Sequence, residues 1–250
     1  MTQKILIIKA GTTYPQLSQT QGDFENWTQT ALGVPFSDLI IANPDTSKKL
    51  PALKRISGVV ITGSHDMVTS KTPKQAVLHT WVEQILKKDI PLLGICYGHQ
   101  LIAKVLGGKV AQNPTGPEYG TRKITRTPAG KTDPLFALLK NSFDAQTAHT
   151  QMVTQPPKEA VLLAYNRACP YQALRFRPYV WGVQFHPEFN VRVMDAYIDE
   201  AQKTAAKNKA PRIRKTVRFS YDSAEILYRF AQICEQPNTP LLMFGEEDPF

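Results

Sequence analysis

The chain has 250 residues, 42% of them hydrophobic and 20% charged, with a net charge of +9 at pH 7. That length and apolar share can bury a sizeable core, which excludes a disordered or fibrous chain. No apolar run approaches the ~20 residues needed to span a bilayer, so no membrane partner is expected.

The opening residues are too short an apolar stretch for a signal peptide and read as a first buried strand at 5–8. A helix follows from near Asp23, past Trp27, towards Leu32. Aliphatic runs at 39–42 and 59–62 suit strands buried on both faces. Residues 74–88 form a helix with Val77, Trp81, Val82, Ile85 and Leu86 on one stripe. A strand at 92–95 leads into a third helix carrying Leu101, Ile102, Val105 and Leu106, which stops at Gly107-Gly108. Strand–helix alternation of this kind implies right-handed crossovers and a largely parallel sheet.

From 109 to 185 the texture changes, with strand-like pieces at 122–126, 161–165, 171–176 and 180–185. Most are separated by Pro, Gly or Asn, which suggests hairpins at one side of the sheet. Helical patterns return through Val191, Met194, Tyr197 and Ile198, and again over 223–234. The last residues, 245–250, read as a loose tail. Between 203 and 218 lie Lys203, Lys207, Lys209, Arg212, Arg214, Lys215 and Arg218 with no acid. A solvated helix face and loop accounts for them better than a nucleic-acid surface.

Three cysteines, Cys96, Cys169 and Cys234, make neither a CxxC pair nor an even disulfide framework. Free thiols in a reduced, cytoplasmic setting are the expectation. Cys96 stands apart because it sits in Gly94-Ile95-Cys96-Tyr97-Gly98, between a buried strand and a helix. That is the layout of a nucleophile elbow, which exposes its side chain on a strained turn and needs small neighbours. A lone Cys in such a turn is more often a small buried residue; the flanking glycines reverse that preference. The helix N-terminus also favours a thiolate electrostatically.

A thiolate nucleophile needs an imidazole partner. The histidines are His65, His79, His99, His149 and His186. His79 falls within a helix, and His99 points along the helix after the elbow. His186 ends a strand in Trp181-Gly182-Val183-Gln184-Phe185-His186-Pro187-Glu188, at the edge where open α/β sheets bind ligands. Glu188 lies two residues on, on the same side of an extended chain, where it can hold the imidazole tautomer.

Gly94 to Gln100 together with Gly182 to Glu188 resembles the class I glutamine amidotransferases. The Tyr after the cysteine is most similar to the amidotransferase domain of guanosine monophosphate synthetase. The resemblance implies an open, flavodoxin-like α/β sheet with helices on both faces over residues 1–200. Residues 201–250 are then a helical extension and tail packed on the same domain. It implies glutamine as substrate, cleaved to glutamate and ammonia by Cys96, His186 and Glu188 through a γ-glutamyl thioester. The backbone N–H groups of Gly63 and Tyr97 are assigned to the oxyanion hole. Ser64, Gln100, Thr150, Gln151 and Met152 are assigned to substrate contacts.

Two positions depart from the synthetase pattern. Ala148-His149-Thr150-Gln151 stands where Ser-His-Gly-Asp is usual, and Gly63-Ser64-His65-Asp66 lacks the usual proline. No phosphate loop occurs in the chain. The resemblance therefore implies that ammonia passes to a separate synthetase subunit, with no metal or organic cofactor. A γ-glutamyl peptidase of the same fold, and a non-catalytic protein using the basic surface, are the alternatives.

Overall fold

The computed structural model describes residues 3–207 and 216–235. In chain order the elements are β1 (Lys4–Ile8), α1 (Pro15–Gln21), α2 (Phe24–Leu32), β2 (Leu39–Ala42), β3 (Ile56–Ile61), α3 (Pro73–Ile85), β4 (Leu92–Ile95) and α4 (Tyr97–Val105). They continue with β5 (Lys109–Gln112), β6 (Glu118–Arg126), α5 (Pro128–Thr132), β7 (Ser142–His149), β8 (Gln151–Gln155) and β9 (Val161–Tyr165). The last are β10 (Ala173–Arg177), β11 (Val180–Val183), α6 (Val191–Lys207) and α7 (Tyr221–Glu235).

The main sheet runs β2-β1-β3-β4-β11-β10-β9-β6-β7. From β2 to β11 every pairing is parallel, in the 2-1-3-4-5 order of flavodoxin-like sheets. From β11 to β7 every pairing is antiparallel. The α/β sheet forms as expected, and the hairpin-like region supplies its antiparallel side. Strand alternation divides the core: Ile5, Ile7 and Val60 face α2 and α7, while Leu6, Ile8 and Val59 face α3 and α4. The stripe on α3 buries Trp81, Val82 and Ile85, joined by Leu78, against that second face.

β7 was not legible as a strand because its buried side chains include polar Gln146, Thr147 and His149, so no apolar run marks it. β5 and β8 form a separate two-stranded sheet with a largely exposed β5. α6 runs unbroken past residue 200. α7 buries Ile226, Leu227, Phe230 and Cys234 in the cluster shared with α2 and the sheet. Of the basic stretch, Lys203, Lys207 and Arg218 are exposed. Lys209, Arg212, Arg214, Lys215 and the tail at 245–250 lie outside the described residues.

Candidate active site

β3, β4 and β11 are parallel neighbours, so their carboxyl ends share one edge of the sheet. Cys96 follows β4 directly, Gly63 lies two residues past β3, and His186 three past β11. Cys96 has φ 48° and ψ −95°, a left-handed conformation that costs a non-glycine residue ~1–3 kcal/mol. Its N–H donates to the Val183 carbonyl at 2.8 Å, tying the turn to β11. The elbow glycines are packed backbone to backbone: a Cβ on Gly94 would come 2.4 Å from the Gly98 carbonyl carbon. Tyr97 and Gly98 open α4, where an α-helix leaves its first N–H groups without intrahelical partners.

His186 is buried and donates from Nδ1 to Glu188 Oε1 at 2.8 Å. Its backbone N–H donates to the Gln146 carbonyl at 2.8 Å, which seats it against β7. The ring stacks on Phe189 with centroids 4.0 Å apart, and Phe24 lies parallel at 6.3 Å on a helix started by the Asp23 capping box. Gly63 is there for space: a Cβ would meet His186 Cε1 at 2.9 Å and Phe24 Cε1 at 3.0 Å. Burial alone works to lower the His186 pKa, but the Glu188 carboxylate and Cys96, which is also hydrogen-bonded to the ring, outweigh it and push the value up to about 10. The two neighbours therefore favour the protonated ring against the pull of burial.

A cavity of about 880 Å³ opens over the elbow, lined by Cys96, Tyr97, Ser64, Gln100, Thr150 and Gln151 among others. Met152 lies one residue further along β8, buried and paired with Ala111, and does not line it. Cys169 and Cys234 are also outside the lining, and burial pushes both thiols up, Cys169 to about 12.

Several lining or supporting groups were given no role from the sequence. Tyr197 of α6 places its hydroxyl 2.9 Å from Thr13 Oγ1 and 3.0 Å from His65 Nε2, and Tyr14 packs on both rings. Burial lowers the His65 pKa, reinforced by the charge on His186. His149 donates from Nε2 to Glu118 Oε2 at 2.9 Å. Glu118 also accepts from Asn166 and Gln172. Gln184 donates from Nε2 to Cys96 Sγ at 3.5 Å. Gln184, His65 and His149 stood in motifs read from the sequence, but the contacts among these groups join residues far apart in the chain.

A family model described as glutamine amidotransferase class-I matches residues 31–203. The chain belongs to that family. It is therefore a glutamine amidotransferase of the cysteine-nucleophile type. This amidotransferase is 38% identical over 137 residues to a GMP synthase (glutamine-hydrolyzing) from Aeropyrum pernix, covering 55% of the chain and 25% of that protein. It is 35% identical over 152 residues to one subunit of a GMP synthase (glutamine-hydrolyzing) from Sulfolobus acidocaldarius, covering 60% of the chain and 76% of that relative. The amidotransferase thus spans a quarter of the first relative's length and three quarters of the second's. A glutamine amidotransferase structure from Thermotoga maritima matches with TM-score 0.66 at 21% identity, over 95% of this chain and 94% of that one. One from Methylobacillus flagellatus matches with TM-score 0.68 at 19% identity, over the whole of both chains. At those identities the structures speak for the amidotransferase fold alone.

Proposed function

We propose that this amidotransferase hydrolyses the side-chain amide of glutamine with Cys96 as nucleophile, His186 as acid–base and Glu188 as the group that orients the imidazole. The observation that carries the reading is Cys96 on a strained elbow lining the cavity, beside an imidazole that Glu188 holds. His186 keeps the proton of the Cys96 thiol. The thiolate attacks the γ-carbonyl, and charge moves onto the amide oxygen, where the N–H groups of Gly63 and Tyr97 serve as donors. His186 then passes its proton to the departing nitrogen as the C–N bond breaks. Water, deprotonated by His186, cleaves the γ-glutamyl thioester and returns the sulfur. Ser64, Gln100, Thr150 and Gln151 bind the amino-acid end, with Met152 supporting the strand behind them. No metal or organic cofactor enters these steps.

The ammonia goes to an acceptor on a separate synthetase chain. The relatives that are themselves single subunits of a GMP synthase support that reading. The test is glutamine turnover by the isolated chain, with mass spectrometry for a γ-glutamyl adduct on the Cys96 peptide. An adduct on another cysteine, or none during turnover, overturns the assignment.

One observation favours a second reading. The cavity, at about 880 Å³, lies near the upper end of the ~300–1,000 Å³ range for drug-sized ligands, far beyond the needs of glutamine. A γ-glutamyl amide with a larger leaving group would fill it. Glutamine and a γ-glutamyl dipeptide assayed side by side separate the two.

A further inference from the structure

Gln184 is fully buried, directly after β11, and its backbone N–H donates to the Gln172 carbonyl at 2.8 Å. Burying a carboxamide is costly unless each polar atom finds a partner, so its partners say what it is for. They form a chain that ends at the nucleophile. Gln100 Nε2 donates to the Gln151 carbonyl at 2.9 Å and to Gln184 Oε1 at 3.0 Å. Gln184 Nε2 in turn lies 3.5 Å from Cys96 Sγ, a normal N–H···S separation given sulfur's radius.

The direction of this chain is forced from its far end. A backbone carbonyl only accepts, so Gln100 must turn its NH2 group towards Gln151. The second hydrogen of that NH2 group then needs an acceptor, which Gln184 supplies as Oε1. With its oxygen committed, Gln184 presents its own NH2 to the sulfur. The Gln151 carbonyl is itself fixed, lying 3.1 Å from Nδ1 of His149, whose other nitrogen is held by Glu118. Gln100 and Gln151 line the cavity, so the wall around the substrate also sets the amide beside the nucleophile.

We infer that Gln184 is a positioning residue that donates an N–H to the Cys96 sulfur, oriented for that task by Gln100 and the Gln151 carbonyl. The inference rests on the proposed role of Cys96. His186 and Gln184 then hold the sulfur between them. Tyr119 of β6, Tyr197 of α6 and Cys169 are the other titratable groups that interact electrostatically with it. When the thioester forms, the sulfur loses its negative charge and the bond weakens. When water cleaves the thioester, the bond returns and favours departure of the thiolate. The relay therefore stabilises both the resting thiolate and the leaving thiolate of the second half-reaction.

The test uses the full chain with Gln184→Met, which keeps length but loses the donor, and Gln184→Glu, which keeps shape but turns an acceptor towards sulfur. The readout is the pH profile of iodoacetamide alkylation at the Cys96 peptide, followed by mass spectrometry. Hydrogen bonds to charged groups contribute on the scale of about tenfold to a hundredfold, so both variants should alkylate along a profile displaced upward by about one pH unit or more. Glutamine turnover should fall by about the same factor. Gln172→Met removes another fully buried carboxamide, bonded to Glu118 instead, and should leave the alkylation profile in place even where stability drops. An unmoved profile in either folded Gln184 variant, or an equal displacement in Gln172→Met, overturns the inference. Alkylation reports the sulfur whether or not glutamine is the substrate, so failure of the relay and failure of the proposed reaction give different results.

Discussion

Two buried histidine–carboxylate pairs, His186–Glu188 and His149–Glu118, differ in what the second nitrogen meets. In His186–Glu188 the partners are two residues apart at the end of one strand, 2.8 Å from each other, and the rest of the ring is left for Cys96. In Glu118–His149 the partners come from neighbouring strands β6 and β7, 2.9 Å apart, and the other nitrogen is taken up by the Gln151 carbonyl. A His–carboxylate distance therefore does not identify a catalytic base. The first pair has the Cys96 sulfur beside its ring, the atom proposed to exchange a proton with it. In the second, protein groups meet both nitrogens, so the pair is placed to brace the cavity wall.

The largest effects should separate the pairs. Cys96→Ala and His186→Ala should each lose at least ~10⁴-fold in glutamine turnover, the scale on which triads fail, with circular dichroism unchanged. Near-normal turnover in His186→Ala alongside a collapse in folded His149→Ala would reverse the assignment. Glu188→Gln should be crippled by about 10²-fold, less than a serine triad loses, because a thiol depends less on its base.

Damage to the brace should register first as stability. Every group bonded to the Glu118 carboxylate is a donor, so Glu118→Gln turns one acceptor into a clashing donor. It should cost about 1–3 kcal/mol in urea unfolding while kcat stays within about tenfold. A variant as stable as the parent would remove the brace argument.

The pH dependence of stability carries a related signature. Burial works to raise the Glu118 pKa, but hydrogen bonds from His149 and Asn166 with the charge of Arg122 bring it below 4.5. Its contribution is present above the unfolded pKa and lost as pH falls through the lower folded value. His99 is held neutral by burial, with its pKa lowered from 6.5 to about 3. The unfolded chain takes up that proton first, so stability should drop from pH 6.5 downward. His186 has the opposite sign: its raised pKa contributes stability below about 6.5 that is lost as pH rises through about 10. Urea midpoints measured from pH 4 to 10 should fall at both ends, and His186→Ala should flatten the alkaline side only. The smallest effect is expected from the basic stretch, which carries no candidate for the triad. Neutralising Lys209, Arg212, Arg214 and Lys215 together should change turnover by no more than a few-fold.

Much of the parallel half was readable because its strands are covered on both faces. Residues 56–61 and 92–95 are buried throughout, whereas edge strand β2 at 39–42 leaves Ile41 exposed, and the glycines around Cys96 announce a turn that larger residues would block. β7 gave no such signal, since its polar residues become acceptable inside only after their partners arrive. Gln146 is an example: its side chain accepts from Thr121 and donates to the Arg218 carbonyl, while its backbone carbonyl holds His186.

By itself the sequence determined the strand–helix alternation, the elbow at Cys96 and the short link between His186 and Glu188, because each depends on residues close in the chain. Tertiary structure alone decided that three strand ends converge, that Glu118 reaches His149, and that Gln151, Gln100 and Gln184 align towards one sulfur. Those contacts join residues separated by 31 to 88 positions, and a hydrogen bond across such a gap exists only once the sheet has set its strand order.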